Sequence, residues 1–302
     1  MPTLWHYKDS NIRKTWVLVT LFFVFIIALG WLFSRALNNP NILIFAVLFS
    51  VFMNIASYWW SDKIVIAMTR AKPIEEKDAP ELYNIIENLS ITAGLPTPKI
   101  YLVDSPQLNA FATGRSPTHA VVAVTTGLLG KLEKVELEGV LAHELSHIGN
   151  RDMLVSTVAV VLAGFIAILA DMFLRMSLWG GGFRRSDNED SRAGAMLLIV
   201  ALVAAILAPI AATLIRLAIS RKRESLADAS GVLLTRYPEG LARALEKLAA
   251  DHHPMPHASP AIAHLWLDSP FKGQKKTSWI AKLFMTHPPI EERIAALRGM
   301  SV

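Results

Sequence analysis

Four long apolar runs without a charged residue interrupt the chain, at 15–33, 41–61, 153–170 and 193–215. A helix needs about 20 such residues to cross a bilayer, so each run predicts a membrane-spanning helix. The first run is too long for the apolar core of a signal peptide, and no small-residue cleavage site follows it. We therefore expect it to stay in the protein as an anchor.

The segments between the apolar runs show shorter periodicities. The stretch EEKDAPELYNIIENLSITAGL carries apolar side chains at helical spacing and ends near Gly94, which suits a C-terminal cap. KIYLVDS, NAFATG and AVVAVTTGLL are typical of short strands, and 132–152 is again helical in pattern. A polar helical tail follows the fourth run. The predicted fold is mainly α with a small β-sheet (α+β), in four parts: 1–61, 62–152, 153–219 and 220–302.

Composition supports a membrane protein and excludes other classes. The chain is 53% hydrophobic and 18% charged, against about a quarter charged in an ordinary soluble domain. Cysteine is absent, so neither disulfides nor thiolate ligands are available. The net charge of +5 is modest, and no basic stripe with interleaved aromatic residues predicts nucleic-acid binding. The pattern sets no oligomeric state.

The basic residues indicate an orientation in the membrane. Lys8, Arg13 and Lys14 precede the first run, and Arg216 and the basic residues at 221–223 follow the fourth. Under the positive-inside rule both ends lie in the cytosol, which agrees with an even number of spans. Arginines between the third and fourth runs argue in the opposite direction. The chain is predicted to be a multi-pass protein of the inner or plasma membrane with its soluble parts in the cytosol.

The stretch LAHELSHIGNRD carries the candidate chemistry. His143 and His147 are four residues apart and share one face of a helix, so both imidazoles can bind one metal ion. Glu144 lies beside that face, where a carboxylate can take a proton from metal-bound water. Two of the nine histidines can also reach this spacing by accident, on a solvated helix face. The motif alone is therefore only suggestive.

A catalytic zinc usually has three protein ligands, and Glu224 in RKRESLADASG is the candidate for the third. Asp228 lies one turn beyond Glu224 and could hydrogen-bond a ligand histidine. The alternative is a solvated charged turn after a membrane span. Beside the HELSH motif, the ligand interpretation is favoured.

Several motifs in one order make the chain resemble an HtpX-type membrane zinc metalloprotease, related to the CaaX prenyl endopeptidases within the gluzincins. They are two N-terminal spans, DAPELYNIIENLSITAGLPTPKIYLVDSPQLNAFATG, AHELSHIGNRD, two further spans, RKRESLADASG and THPPIEERIAAL. The resemblance covers nearly the whole chain. It implies a gluzincin-like catalytic domain and one Zn²⁺ per subunit.

The resemblance also implies a role for each site residue. His143, His147 and Glu224 would bind zinc, Glu144 would act as general base and acid, and Asp228 would orient a zinc histidine. Asn109 and Ala110 would bind the substrate backbone at the edge of the cleft, and His287 would steady the oxyanion. His287 also has a simpler interpretation as a helix-entry residue, because Thr286, Pro288 and Pro289 suit the start of a helix.

The expected activity is zinc-dependent proteolysis of misfolded or damaged membrane proteins and unfolded polypeptides, with the lipid bilayer as a second partner. Two other classes stay open. A non-proteolytic chaperone or scaffold with a vestigial metal site would carry the same spans. A transporter or channel would need charged or broken helices at the bilayer midplane, and Pro209 is the one interruption of a span centre.

Overall fold

The structure, a computed structural model, describes residues 4–36, 38–179, 221–255, 260–271 and 289–300. The α-helices in these ranges are α1 (Leu4–Ala36), α2 (Asn41–Trp59), α3 (Ser61–Thr69), α4 (Pro80–Ala93), α5 (Thr126–Lys131), α6 (Lys134–Gly149), α7 (Asp152–Trp179), α8 (Arg221–Thr235), α9 (Pro238–Ala250) and α10 (Ile290–Arg298). The strands are β1 (Lys72–Pro73), β2 (Lys99–Val103), β3 (Ala110–Thr113) and β4 (Val121–Thr125). Short 3-10 helices lie at Glu76–Asp78, Pro117–His119 and Pro260–Leu265.

Helices α1 and α2 form an antiparallel hairpin from the first two apolar runs. They pack closely at Gly30, where an added Cβ would lie 2.2 Å from the Cβ of Ala46. Their outer faces expose large apolar side chains, among them Trp16, Leu21 and Phe45. The segments Asp9–Arg35 and Asn41–Trp59 are both long and apolar enough to cross a membrane. Two of the four runs predicted to span the membrane are therefore helices of sufficient length and apolarity.

The third apolar run lies within α7, which packs against α1 through Val155, Val158 and Leu162. Helices α6 and α7 meet at a bend of 83°, and they add a third candidate span only if the bent pair is counted as one. The predicted fourth span, 193–215, lies outside the described residues. The bend corrects the prediction of one helix over 132–152: α6 ends at Gly149, Arg151 has a left-handed φ of 57°, and α7 begins at Asp152.

The four strands form one mixed sheet with the order β1-β2-β4-β3. β2 runs parallel to β4, whereas β1 and β3 pair antiparallel with their neighbours. The three strands read from the sequence are present, and β1 is an addition. Alternate residues of β4 point to opposite faces: Val122 and Val124 join the main core, and Ala123 contacts a smaller cluster with Val65 and Trp266.

Helix α6 lies at the centre of the main core. It starts with a capping box formed by Glu133 and Glu136. Two glycines allow other helices to approach the backbone of α6 closely. A Cβ at Gly139 of α6 would lie 2.6 Å from the amide nitrogen of Leu241 on α9. A Cβ at Gly231 of α8 would lie 3.0 Å from the amide nitrogen of His143. The described part of the chain is thus mostly helical with a small sheet, as predicted.

Candidate metal centre

Two helices bring three metal-ligand side chains to one point. His143 and His147 project from α6, and Glu224 projects from the first turn of α8. One ligand atom from each lies within 4.8 Å of the others. The Nε2 atoms of the histidines are 3.1 Å apart, and the carboxylate oxygens of Glu224 lie 3.8 Å from Nε2 of His143 and 3.7 Å from Nε2 of His147.

This donor set fits zinc. Ligands at about 2.0–2.2 Å around a tetrahedral zinc lie about 3.3–3.6 Å from one another, and the three observed separations bracket that range. Two imidazoles and one carboxylate leave a fourth position for water or substrate, as catalytic zinc sites require. The three side chains would therefore need only small shifts to hold the ion.

A carboxylate lies against the Nδ1 atom of each histidine and orients its ring. Oδ1 of Asp228 lies 2.9 Å from Nδ1 of His143, and Oδ2 of Asp152 lies 3.2 Å from Nδ1 of His147. With Nδ1 donating to a carboxylate, each ring in its neutral form presents its Nε2 lone pair to the metal position. Asp228 was anticipated from its spacing to Glu224. Asp152 was not, although a carboxylate five residues after a ligand histidine, at the start of an apolar run, was visible in the sequence.

The charges around His147 change its protonation. Burial alone would lower its pKa, but the hydrogen bond to Asp152 and the negative charges of Glu224, Asp152 and Glu144 outweigh this and raise the pKa to about 9. Without metal the ring is therefore protonated at neutral pH. Because zinc binds neutral imidazole, metal uptake must displace a proton from this side chain.

Glu144 directly follows the first ligand and is 3% exposed. Burial raises the pKa of its carboxyl, with an additional rise from the charge of Glu224, and the charges of His143 and His147 oppose the shift. A raised pKa suits a group that must accept a proton and later return it.

Arg293, on α10, completes the charged cluster and was not anticipated. Its guanidinium donates from Nε to Oδ2 of Asp228 at 2.9 Å and from Nη2 to Oδ1 at 2.7 Å. Burial would raise the pKa of Asp228, but Arg293 and His143 lower it to about 2. The sequence held one signal: Arg293 interrupts the buried stripe of α10 that includes Leu297.

Asn109 and Ala110 lie at the start of the edge strand β3, but their polar groups bond to the protein itself. Nδ2 of Asn109 donates to the carbonyl of Asp268 at 2.7 Å, and its Oδ1 accepts from the amide of Asp268 at 3.1 Å. The carbonyl of Ala110 accepts from the amide of Leu267 at 3.0 Å. The segment 266–268 thus covers the edge proposed for substrate. The other predicted residue, His287, lies outside the described residues.

A buried His2Glu cluster with an adjacent glutamate, on a chain with two helices apolar enough to span a bilayer, defines a membrane metalloprotease. The sequence model of Peptidase family M48 matches residues 76–301, and the chain belongs to this family. The resemblance inferred from the motifs is thereby confirmed.

Curated relatives agree over their full length. The chain is 50% identical to "Protease HtpX homolog" of Syntrophobacter fumaroxidans over 95% of this chain and 98% of that protein. It is 47% identical to the protein of the same name from Thermococcus sibiricus, over 95% of each. A superposition on the crystal structure of S. mikatae Ste24p has a TM-score of 0.47 at 22% sequence identity. The match covers 97% of this chain and 66% of the Ste24p chain.

Proposed function

We propose that this membrane metalloprotease is a zinc endopeptidase that cleaves misfolded or damaged membrane proteins from the cytosolic side. The observation that carries the proposal is that ligand atoms of His143, His147 and Glu224 lie within 4.8 Å of one another. The same chain contains two helices that are apolar enough to cross a membrane. A site built at the base of membrane helices favours substrates that are themselves at the membrane.

The side chains divide the work of peptide hydrolysis among them. Zinc, held by His143, His147 and Glu224, would supply Lewis acidity toward the scissile carbonyl and an acidified water. Glu144 accepts a proton from the attacking water and delivers it to the leaving amine. Asp228 and Asp152 keep the two imidazoles in the orientation that binding needs. His287 would steady the negative charge that develops on the carbonyl oxygen.

Substrate binding would use the edge of β3. An extended peptide can add a strand to a free sheet edge and gain main-chain hydrogen bonds with little demand on its side chains. That mode suits a protease with many unfolded substrates. Because Leu267 and Asp268 hold the polar groups of Ala110 and Asn109, a peptide that pairs there must first displace the segment 266–268.

The charge pattern supports a cytosolic site, and the order of the ligands supports one side of the membrane for both catalytic parts. Basic residues flank the first and fourth apolar runs, and His147 and Glu224 stand on either side of the third and fourth runs. One metal can bind both ligands only if that hairpin starts and ends on one side of the membrane. Residues 1–61, 62–152, 153–219 and 220–302 would then be membrane hairpin, catalytic part, second hairpin and second catalytic part.

The test is Glu144→Gln in purified full-length protein, measured by metal analysis and casein cleavage. We expect one zinc per chain in the wild type and the variant, and a loss of cleavage of at least about 100-fold in the variant. Glu138→Gln, on the same helix but outside the cluster, is the matched control and should keep its activity. A chelator should abolish wild-type cleavage.

Each result decides between the candidate functions. Full cleavage by Glu144→Gln would refute the mechanism. Zinc-loaded wild type that binds unfolded protein without cutting it would instead support the chaperone or scaffold. Cleavage of soluble casein together with no effect on any membrane protein would refute the proposed substrate class.

A further inference from the structure

A buried polar contact joins the first membrane helix to the metal centre. Asn11, on α1, is 2% exposed, and its Nδ2 donates to Oδ1 of Asp152 at 2.6 Å and to the carbonyl of Asn150 at 3.2 Å. These residues form the turn between α6 and α7, and they lie about 140 positions away in the sequence. Asn11 therefore holds this turn from outside the catalytic part.

The carboxylate of Asp152 divides its two oxygens between the membrane helix and the site. Oδ1 faces Asn11 and also lies 3.5 Å from Nε of Arg223, while Oδ2 lies 3.2 Å from Nδ1 of His147. Asp152 is 2% exposed and Arg223 4% exposed. Because water cannot replace a lost partner easily at such burial, the orientation of the carboxylate depends on these protein contacts.

Of the two groups that face Oδ1 of Asp152, Asn11 makes the shorter contact, at 2.6 Å against 3.5 Å for Arg223. With Oδ1 held by Asn11, Oδ2 stays on His147, and the imidazole keeps Nε2 toward Glu224 and His143. Contacts of this kind behind a metal ligand typically change metal affinity by about 10–100-fold. The buried amide of Asn11 thus acts on the metal position without touching it.

We infer that Asn11 is a positioning residue of the metal centre: through Asp152 it holds His147 in its metal-binding orientation, so that the first membrane helix retains the zinc as well as anchoring the chain. The inference rests on the proposed function, since it assumes that His147 binds zinc. It assigns α1 a part in the reaction that a membrane anchor does not need.

The first experiment measures zinc release from the full chain in detergent to a chromogenic chelator. We expect Asn11→Ala to release zinc about 10-fold faster or more than the wild type. Thr15→Val is the matched control, because Thr15 is buried one turn further along α1 and its hydroxyl bonds only the carbonyl of Asn11 in the described hydrogen bonds. Its release rate should equal that of the wild type.

A second measurement separates positioning from a general loss of stability. Excess zinc should restore casein cleavage by Asn11→Ala to near the wild-type rate, since Glu144 is untouched. Unfolded protein would not recover in this way. If Asn11→Ala released zinc at the wild-type rate, the inference would be wrong and the proposed function would stand. If the wild type took up no zinc, both the proposed function and the inference would be wrong.

Discussion

Arg293 carries the positive charge on which the buried carboxylates of the site depend. It is 4% exposed and makes two hydrogen bonds to Asp228, and it lies 3.9 Å from Glu224. Removal of one partner from a buried ion pair leaves an uncompensated charge, which is costly. The Asp228 carboxylate that orients His143 would be left in that state.

We therefore expect Arg293→Ala to destabilise the protein by about 3–5 kcal/mol. Arg298 on the same helix is the control, because it is about half exposed and pairs with Glu239 and Glu246 at the surface. Arg298→Ala should change the stability by less than about 1 kcal/mol. Thermal unfolding of both variants in detergent checks the prediction, and equal midpoints would contradict it.

The site residues that could be predicted from the sequence are those that lie at a characteristic short spacing from another site residue. His143 and His147 follow from one helical repeat, and Asp228 from one turn after Glu224. Asp152 was missed because its contact with His147 crosses the bend between α6 and α7, and Arg293 because it pairs with Asp228, which is 65 positions away. A sequence pattern records spacing, whereas these pairs are made by tertiary packing.

At the scale of elements, the distance between α6 and α8 sets the distance between the histidines and Glu224. Gly231 is the point of closest approach: a Cβ there would lie 3.0 Å from the nitrogen and 3.2 Å from the Cα of His143. These are backbone atoms of a buried helix, which cannot turn aside as a side chain can. A larger residue must push the two ligand-bearing helices apart.

Gly231→Ala should cost about 1–3 kcal/mol of stability and weaken zinc binding. Gly130 is the matched control, since a Cβ there meets nothing within 4 Å. Gly130→Ala should be neutral or stabilising by up to about 1 kcal/mol. Equilibrium unfolding and competition for zinc with a chelator measure both effects, and unchanged zinc affinity in Gly231→Ala would refute the packing argument.

The elements themselves were largely predictable, but the breaks between them were not. α4 and the strands β2, β3 and β4 appear where periodicity placed them, and Gly94 has the left-handed φ of 64° expected of a cap. The bend between α6 and α7 was missed because Arg151 takes a left-handed conformation, with a φ of 57°. Local preference for that conformation is weak outside glycine and asparagine.

At the scale of the whole molecule, the proposed orientation can be read by labelling, because the chain contains no cysteine. Asn39 lies exposed between α1 and α2, and Asn88 lies exposed on α4 in the catalytic part. A membrane-impermeant maleimide should label Asn39→Cys in intact cells and Asn88→Cys only after permeabilisation. The reverse pattern would place the metal centre outside the cytosol.

The composition and the first two apolar runs were sufficient to predict a membrane protein with an N-terminal hairpin. They could not predict that the hairpin also packs against α7 and reaches the metal centre through Asn11. Apolar runs report affinity for lipid, and the contacts among helices depend on which faces meet.

The separation of the ligands along the chain has a consequence for the biosynthesis of the enzyme. A ribosome completes Asn11, His143 and His147 well before Glu224, which follows both later apolar runs. A nascent chain that stops short of residue 224 cannot assemble the ligand set, whatever zinc is present. We expect the protease to become active only when its synthesis and membrane insertion are nearly finished, so prematurely terminated chains would be inert.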